Sequence, residues 1–208
     1  MMNLLQACLP VTQLRPAHAM VVATMGAMFA FDQIDAKAVA DGGQRMAGRI
    51  SSVPLMGGAA GLALGLALAQ PERHAIVVDG DASLLMELGG LASVVAAQPA
   101  HFLHIVIANG TQFSGLANLA TMEPQFSFEA FARAAGYAHA QTISDAGEWQ
   151  ASFPRLLEMR GPVLVQLQVQ PVPPRTGEGF ALSEMPDVQF QRMGTEVAAL
   201  RQWLKEAV

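Results

Sequence analysis

The sequence predicts an α/β fold: a doubly wound, mostly parallel sheet with helices on both faces. Short, near-continuous apolar runs recur along the chain, each bounded by turn residues. Segments of helical length separate them, which is the alternation of strand and crossover helix. With 52% hydrophobic and 14% charged residues in a chain of 208, there is apolar surface enough to cover such a sheet on both sides.

Taken in order, "AMVVAT" (19–24), "HAIVVD" (74–79), "FLHIVIA" (102–108) and "PVLVQLQV" (162–169) read as strands. Their continuous rather than alternating apolarity is what a sheet buried on both faces requires. Residues 55–69, 84–97, 128–135 and 147–159 read as the helices between and after them. Residues 1–170 are expected to form a single α/β domain. Residues 171–208 are expected to hold a Pro- and Gly-rich irregular stretch, "QPVPPRTGEG" (170–179), and then a C-terminal helix that is exposed or packed on a partner.

A net charge of −5 with no basic cluster gives no footprint for nucleic acid or an anionic membrane surface, so neither partner is expected. The longest apolar stretch, 55–69, is shorter than the roughly 20 residues that span a bilayer. The N-terminus lacks the basic start and apolar core of a secretory signal, and the single Cys8 implies no disulfide framework, so a cytoplasmic location is the expectation. Cys8 itself reads as a passive buried thiol.

In an open parallel sheet, ligands bind beyond the carboxyl ends of the strands. There this sequence places Thr24 after the first run, Gly80, Asp81, Ala82 and Ser83 after the second, and Asn109, Gly110 and Thr111 after the third. A carboxylate, an amide oxygen and a loop carbonyl make a hard-oxygen set suited to Mg²⁺ or Ca²⁺. Small residues before a helix at Leu84 leave its N–H groups open to an anion, and Ser83 could cap that helix or donate to a phosphate oxygen. Each residue also has an ordinary reading. Asp81 and Asn109 are favoured in turns, Met56 belongs to a chain of 12 methionines and fills cores by default, and Asp79 reads as strand-end polarity. His101 and His104 read as solvated, His18 and His139 have no evident partner, and "GGAAGLALG" lacks the spacing of a dinucleotide fingerprint.

"GDASLLMELGGLASVV" followed by "IVIANGTQF" resembles the Gly-Asp-Gly to Asn-Asn motif of thiamine diphosphate-dependent enzymes. "VPLMGGAAGLALGLALAQPER" and "SFEAFARAAGYAHAQTISDAGEW" extend the resemblance toward phosphonopyruvate and sulfopyruvate decarboxylases, over roughly residues 20 to 170. The resemblance implies the diphosphate-binding domain of that family. It makes Asp81, the Asn109 side chain and the Thr111 carbonyl ligands of Mg²⁺, and it gives Thr24, Gly80, Ala82 and Ser83 to the diphosphate. It also places Met56 between the cofactor's rings and the Pro54 carbonyl at the pyrimidine amino group. Ala82 stands where the motif has Gly, Ala108 where it often has Asn or Asp, and Pro54 where it usually has Gly. The loop after Asn109 lacks the "TGGQ" ending.

The glutamate that activates the cofactor in this family sits on a separate pyrimidine-binding domain, for which this sequence has no counterpart. No catalytic residue is therefore expected on this chain; a partner subunit in a hetero-oligomer or dimer would supply that Glu. The function implied is the Mg–thiamine diphosphate-binding subunit of a two-component decarboxylase acting on a small 2-oxo acid. The alternative is a relative that keeps the fold for partner binding or regulation and has lost the cofactor, motivated by Ala82 and Ala108. An unrelated nucleotide-binding α/β protein is a further option.

Overall fold

The computed structural model describes residues 1–52, 54–113, 118–120, 126–171 and 186–206. Its strands are β1 (Met20–Ala23), β2 (Arg49–Ser51), β3 (Ala75–Gly80), β4 (Phe102–Ala108), the short antiparallel pair β5 (Thr111–Phe113) and β6 (Asn118–Ala120), then β7 (His139–Ile143) and β8 (Val163–Gln168). Six of them form one parallel sheet in the order β2-β1-β3-β4-β8-β7. The expected doubly wound α/β architecture is thus present.

Side chains alternate across the sheet, and each face is apolar because each is covered. On one face Val21, Ala23, Ile76, Val78 and Ile105 pack with residues of α1 (Leu4–Leu14), α2 (Met25–Ala40) and α7 (Ala146–Glu158), Phe31 and Trp149 among them. On the other, Met20, Val22, Val77 and Val106 meet α3 (Ala59–Ala69), α4 (Asp81–Met86), α5 (Gly90–Ala97), α6 (Phe128–Ala135) and α8 (Pro186–Glu206). In α3 the face toward the sheet is Ala59, Ala63 and Ala67, all buried, so helix and strands approach closely.

Several elements were not visible in the apolar pattern. Helix α1 carries Pro10 in its interior, which in a sequence reads as a breaker. It is nonetheless closed by a capping box in which Asn3 and Gln6 exchange bonds of 2.9 Å, and Trp149 Nε1 donates to the Ala7 carbonyl at 2.9 Å. Strand β2 is only three residues, and β7 mixes polar and apolar residues at the sheet's edge. The helix expected over 84–97 is two helices, because the chain leaves helical geometry at Glu87 (φ −138°, ψ 50°) before the Gly89–Gly90 pair, where propensity is low.

The C-terminal helix does not stand free. Val197, Leu200, Trp203 and Leu204 of α8 pack on the sheet's second face beside β2. The Pro- and Gly-rich segment lies, from residue 172 on, outside the described residues, as do 114–117 of the loop after β5. Among the described residues no helix is long and apolar enough to cross a membrane.

Candidate functional site

The sheet order changes direction between β1 and β3, since β1 has β2 on its other side while the sheet continues through β3 to β4. Such a switch point opens a crevice at the carboxyl ends of the strands. The ends of β2, β1, β3 and β4 therefore decide what the crevice can hold.

Strand β3 runs into α4 at Gly80, which caps the helix in an extended conformation (φ −97°, ψ 150°), so Asp81 is the first helical residue. Asp81 is 2% exposed, and both its oxygens accept bonds from main-chain N–H groups: Oδ2 from Gly110 at 2.6 Å and Oδ1 from Ala82 at 2.7 Å. The Gly110 bond ties the end of β3 to the loop after β4. It depends on a left-handed residue (φ +70°), where a side chain would meet open space but a strained backbone. Burial pushes the Asp81 carboxyl above its ordinary pKa, the N–H groups of Gly110, Ala82 and Asn109 pull it down, and the charge of Asp79 adds to the rise. Asn109 Oδ1 accepts from Thr111 N at 2.9 Å and from Thr111 Oγ1 at 3.4 Å, an Asx turn that holds the amide oxygen at the strand's tip.

Ser83 is buried, and its Oγ accepts the Gly57 N–H at 3.0 Å, which straps the loop after β2 to α4. Gly57 has φ +84°, and a Cβ there would fall 2.9 Å from Glu87 Cβ, so only glycine fits. Pro54 is half-buried in this loop, whereas Met56 and Leu55 are each 42% exposed. Thr24 caps the start of α2 without a side-chain bond to that helix. It is buried, donates Oγ1 to the Val78 carbonyl at 3.4 Å, and lies 3.7 Å from where a Gly80 Cβ would be.

Thr24, Pro54, Met56, Gly80, Asp81, Ala82, Ser83, Asn109 and Thr111 thus lie along one edge, linked by the Asp81–Gly110, Ser83–Gly57 and Thr24–Val78 bonds. Ser83 is not the cap of a helix beginning at Leu84; it sits third in α4, and its acceptor role goes to Gly57. Ala82 lies inside α4, and Gln98 is the only non-glycine with positive φ among the described residues. Alanine at 82 therefore carries no backbone strain.

Two expectations are corrected. His104 is fully buried rather than solvated, and Asp79 is fully buried rather than ordinary strand-end polarity. Both side chains share the sheet face of Val77 and Val106, with His104 Nε2 3.6 Å from Asp79 Oδ2 and Nδ1 3.3 Å from the Tyr137 hydroxyl. Asp79 Oδ1 accepts the Gly80 N–H at 2.9 Å, which fixes the carboxylate beneath the strand's end. The role of Gly57 escaped the sequence reading, and Gly110, placed there at the strand's end, gains a bond to Asp81 that the reading did not include.

The donors at the strand ends fit a hard divalent cation. Among the described residues no group of three or more His, Cys, Asp or Glu could hold a metal. This edge instead offers one carboxylate, one amide oxygen and a loop carbonyl; each Asp81 oxygen keeps an acceptor site after its main-chain bond, and the Asn109 oxygen has one for a cation once the long 3.4 Å bond from Thr111 Oγ1 is given up.

Residues 41–167 match the family described as thiamine pyrophosphate enzyme, C-terminal TPP binding domain, and the chain belongs to that family. Within it, the chain is 37% identical over 119 residues to a phosphonopyruvate decarboxylase of Streptomyces viridochromogenes, covering 57% of this chain and 30% of that protein. It is 34% identical over 116 residues to a sulfopyruvate decarboxylase subunit beta of Methanothermobacter thermautotrophicus, covering 56% and 59%. The match therefore spans less than two thirds of either relative. The fold is shared with a thiamine diphosphate-dependent 4-hydroxybenzoylformate decarboxylase of Rhodococcus jostii, at TM-score 0.60 and 17% identity over 82% of this chain and 33% of that one.

Proposed function

We propose that this chain is the Mg²⁺–thiamine diphosphate-binding component of a 2-oxo acid decarboxylase related to the phosphonopyruvate and sulfopyruvate enzymes. The observation that carries the reading is the Asp81–Gly110 bond, which joins the tips of β3 and β4 and sets a buried carboxylate beside the Asn109 amide at the switch point. The family is described as a TPP binding domain, which supports reading this edge as the seat of the cofactor's diphosphate and its metal.

Asp81, the Asn109 side chain and the Thr111 carbonyl would hold Mg²⁺. Ser83, whose oxygen already accepts the Gly57 N–H, keeps its hydroxyl proton to donate to a diphosphate oxygen. Thr24, Gly80 and Ala82 would line the diphosphate, the Pro54 carbonyl would take the pyrimidine amino group, and exposed Met56 would support the bend between the rings. The bound cofactor supplies a carbanion for the substrate's keto carbon and an electron sink for the loss of CO₂. This chain's part is to hold and orient it. The glutamate that activates the pyrimidine would come from a partner subunit, in line with the printed description of the Methanothermobacter relative as a subunit beta. A cytoplasmic location suits such an enzyme.

The helical conformation of Ala82 removes one of the two reasons to read the chain as a relative without cofactor. The test is to purify the chain with whatever protein accompanies it and measure CO₂ release from 2-oxo acids with and without Mg²⁺ and thiamine diphosphate. Release that requires both, and that Asp81→Ala abolishes, supports the proposal; no release from any 2-oxo acid contradicts it.

A further inference from the structure

Strand β2 has three residues and leads directly toward the loop that carries Pro54 and Met56. Among the described residues it pairs with β1 on one side only. A three-residue edge strand holds its direction weakly, and its outward N–H groups need partners. Here α8 supplies one.

Glu196 of α8 accepts the Ser51 main-chain N–H through Oε2 and lies 3.1 Å from Ser51 Oγ through Oε1. The carboxylate is itself held. Arg192, one turn earlier, donates Nε to Glu196 at 2.9 Å and both terminal nitrogens to Asp32 of α2 at 2.8 Å. Asp32 also receives Arg49 of β2 at 2.7 Å. Charge-assisted bonds from two helices therefore hold β2 at both ends: Asp32 of α2 at Arg49, its first residue, and Glu196 of α8 at Ser51, its last, where the chain departs for the site. Gly80, Ala82 and Ser83, which would face the diphosphate, stand on β3 and α4, to which none of these bonds runs; Thr24 stands at the head of α2, about two turns before Asp32.

We propose that Glu196 is a positioning residue for the pyrimidine half of the cofactor. By clamping Ser51 it fixes where the chain leaves β2, and with that the Pro54 carbonyl and the Met56 side chain, while Asp81 and Asn109 are held by bonds of their own and the loop meets the diphosphate side through the Gly57 N–H to Ser83 Oγ bond. This rests on reading the edge as a thiamine diphosphate site.

The two halves of the cofactor separate the possibilities. Thiamine diphosphate and inorganic diphosphate, each with saturating Mg²⁺, are titrated calorimetrically into the full chain purified with its accompanying protein. Glu196→Ala is expected to weaken thiamine diphosphate about tenfold and inorganic diphosphate less than about twofold. Glu196→Gln keeps an acceptor for the Ser51 N–H and should recover most of the loss. Ser51→Ala removes only the hydroxyl and should give a smaller loss with the same selectivity, so the idea stays testable if Glu196→Ala does not fold. Equal weakening of both ligands marks a general structural effect and overturns the proposal, as does no weakening of either. Failure of the wild-type protein to bind thiamine diphosphate would instead remove the reading of the site, and this proposal with it.

Discussion

Ala82 and Gly110 flank Asp81 in space and obey opposite rules. Ala82 is helical, so restoring the glycine of the usual motif adds backbone freedom without relieving strain. Ala82→Gly should cost about 0.5–1 kcal/mol, with a Tm lower by roughly 1–4 °C and no tightening of cofactor binding. Gly110 is left-handed and open on its Cβ side, so Gly110→Ala is a test of backbone alone. It should cost about 1–2 kcal/mol and, by turning the N–H away from Asp81, weaken Mg²⁺-dependent thiamine diphosphate binding; unchanged binding would separate that bond from the site. Cys8 is fully buried, which pushes its thiol up to about 12. It should react with an aromatic disulfide reagent at pH 8 only once the protein unfolds.

The same scale shows what a sequence can carry. Asp81 and Asn109 were legible because residue type and distance from a strand end are both written in the chain. The bond from Gly110 to Asp81 was not, since it depends on the register that sets Gly80 opposite Ile107 across β3 and β4. His104 was misread for a related reason: polarity implies a solvent face only where a sheet has one, and this sheet is covered on both sides.

Among the elements, strands β3 and β4 share a polar contact inside an apolar layer. Asp79 and His104 are both fully buried and 3.6 Å apart, with Tyr137 beyond. His104→Ala opens a cavity in this packed face and removes the neighbour of Asp79 and Tyr137, so it should destabilise by roughly 2–5 kcal/mol, measured by urea unfolding. At the opposite end of the sheet, His74 donates Nε2 to the Leu157 carbonyl at 3.1 Å and lies against the rings of His101 and His18. Burial lowers its pKa below the ordinary 6.5; the Leu157 bond opposes this, and the other two histidines add to it. The folded protein thus favours neutral His74, while the unfolded chain protonates it near pH 6.5. Its contribution is complete above neutrality and is lost as pH falls below that value. Tm should drop from pH 7.5 to pH 5.5, and His74→Gln should flatten part of that drop.

Boundaries of elements were less legible than their existence. The β4 and α6 segments are bounded by residues that strongly start or stop an element, such as Ser127, whose side chain caps α6, and left-handed Gly136 behind it. The break between α4 and α5 was hidden, because an apolar stripe continues across it through Leu84, Leu88 and Leu91.

For the whole molecule, one sheet serves two purposes. Its covered faces supply the stability, and the ends of four neighbouring strands supply a row of oxygen donors whose spacing the sheet itself sets. Helix α8 joins them, since the helix that closes the β2 edge also reaches Ser51 and the way into the site. The proposed partner subunit would complete the crevice from outside, where Leu55, Met56 and Met86 remain exposed. The most direct measurement is calorimetry of thiamine diphosphate with the chain and its accompanying protein, with and without Mg²⁺, for wild type, Asp81→Ala and Asn109→Ala. The account predicts tight binding that requires Mg²⁺ and is lost in both variants while their Tm stays near wild type; binding indifferent to Mg²⁺ or to both substitutions would contradict it.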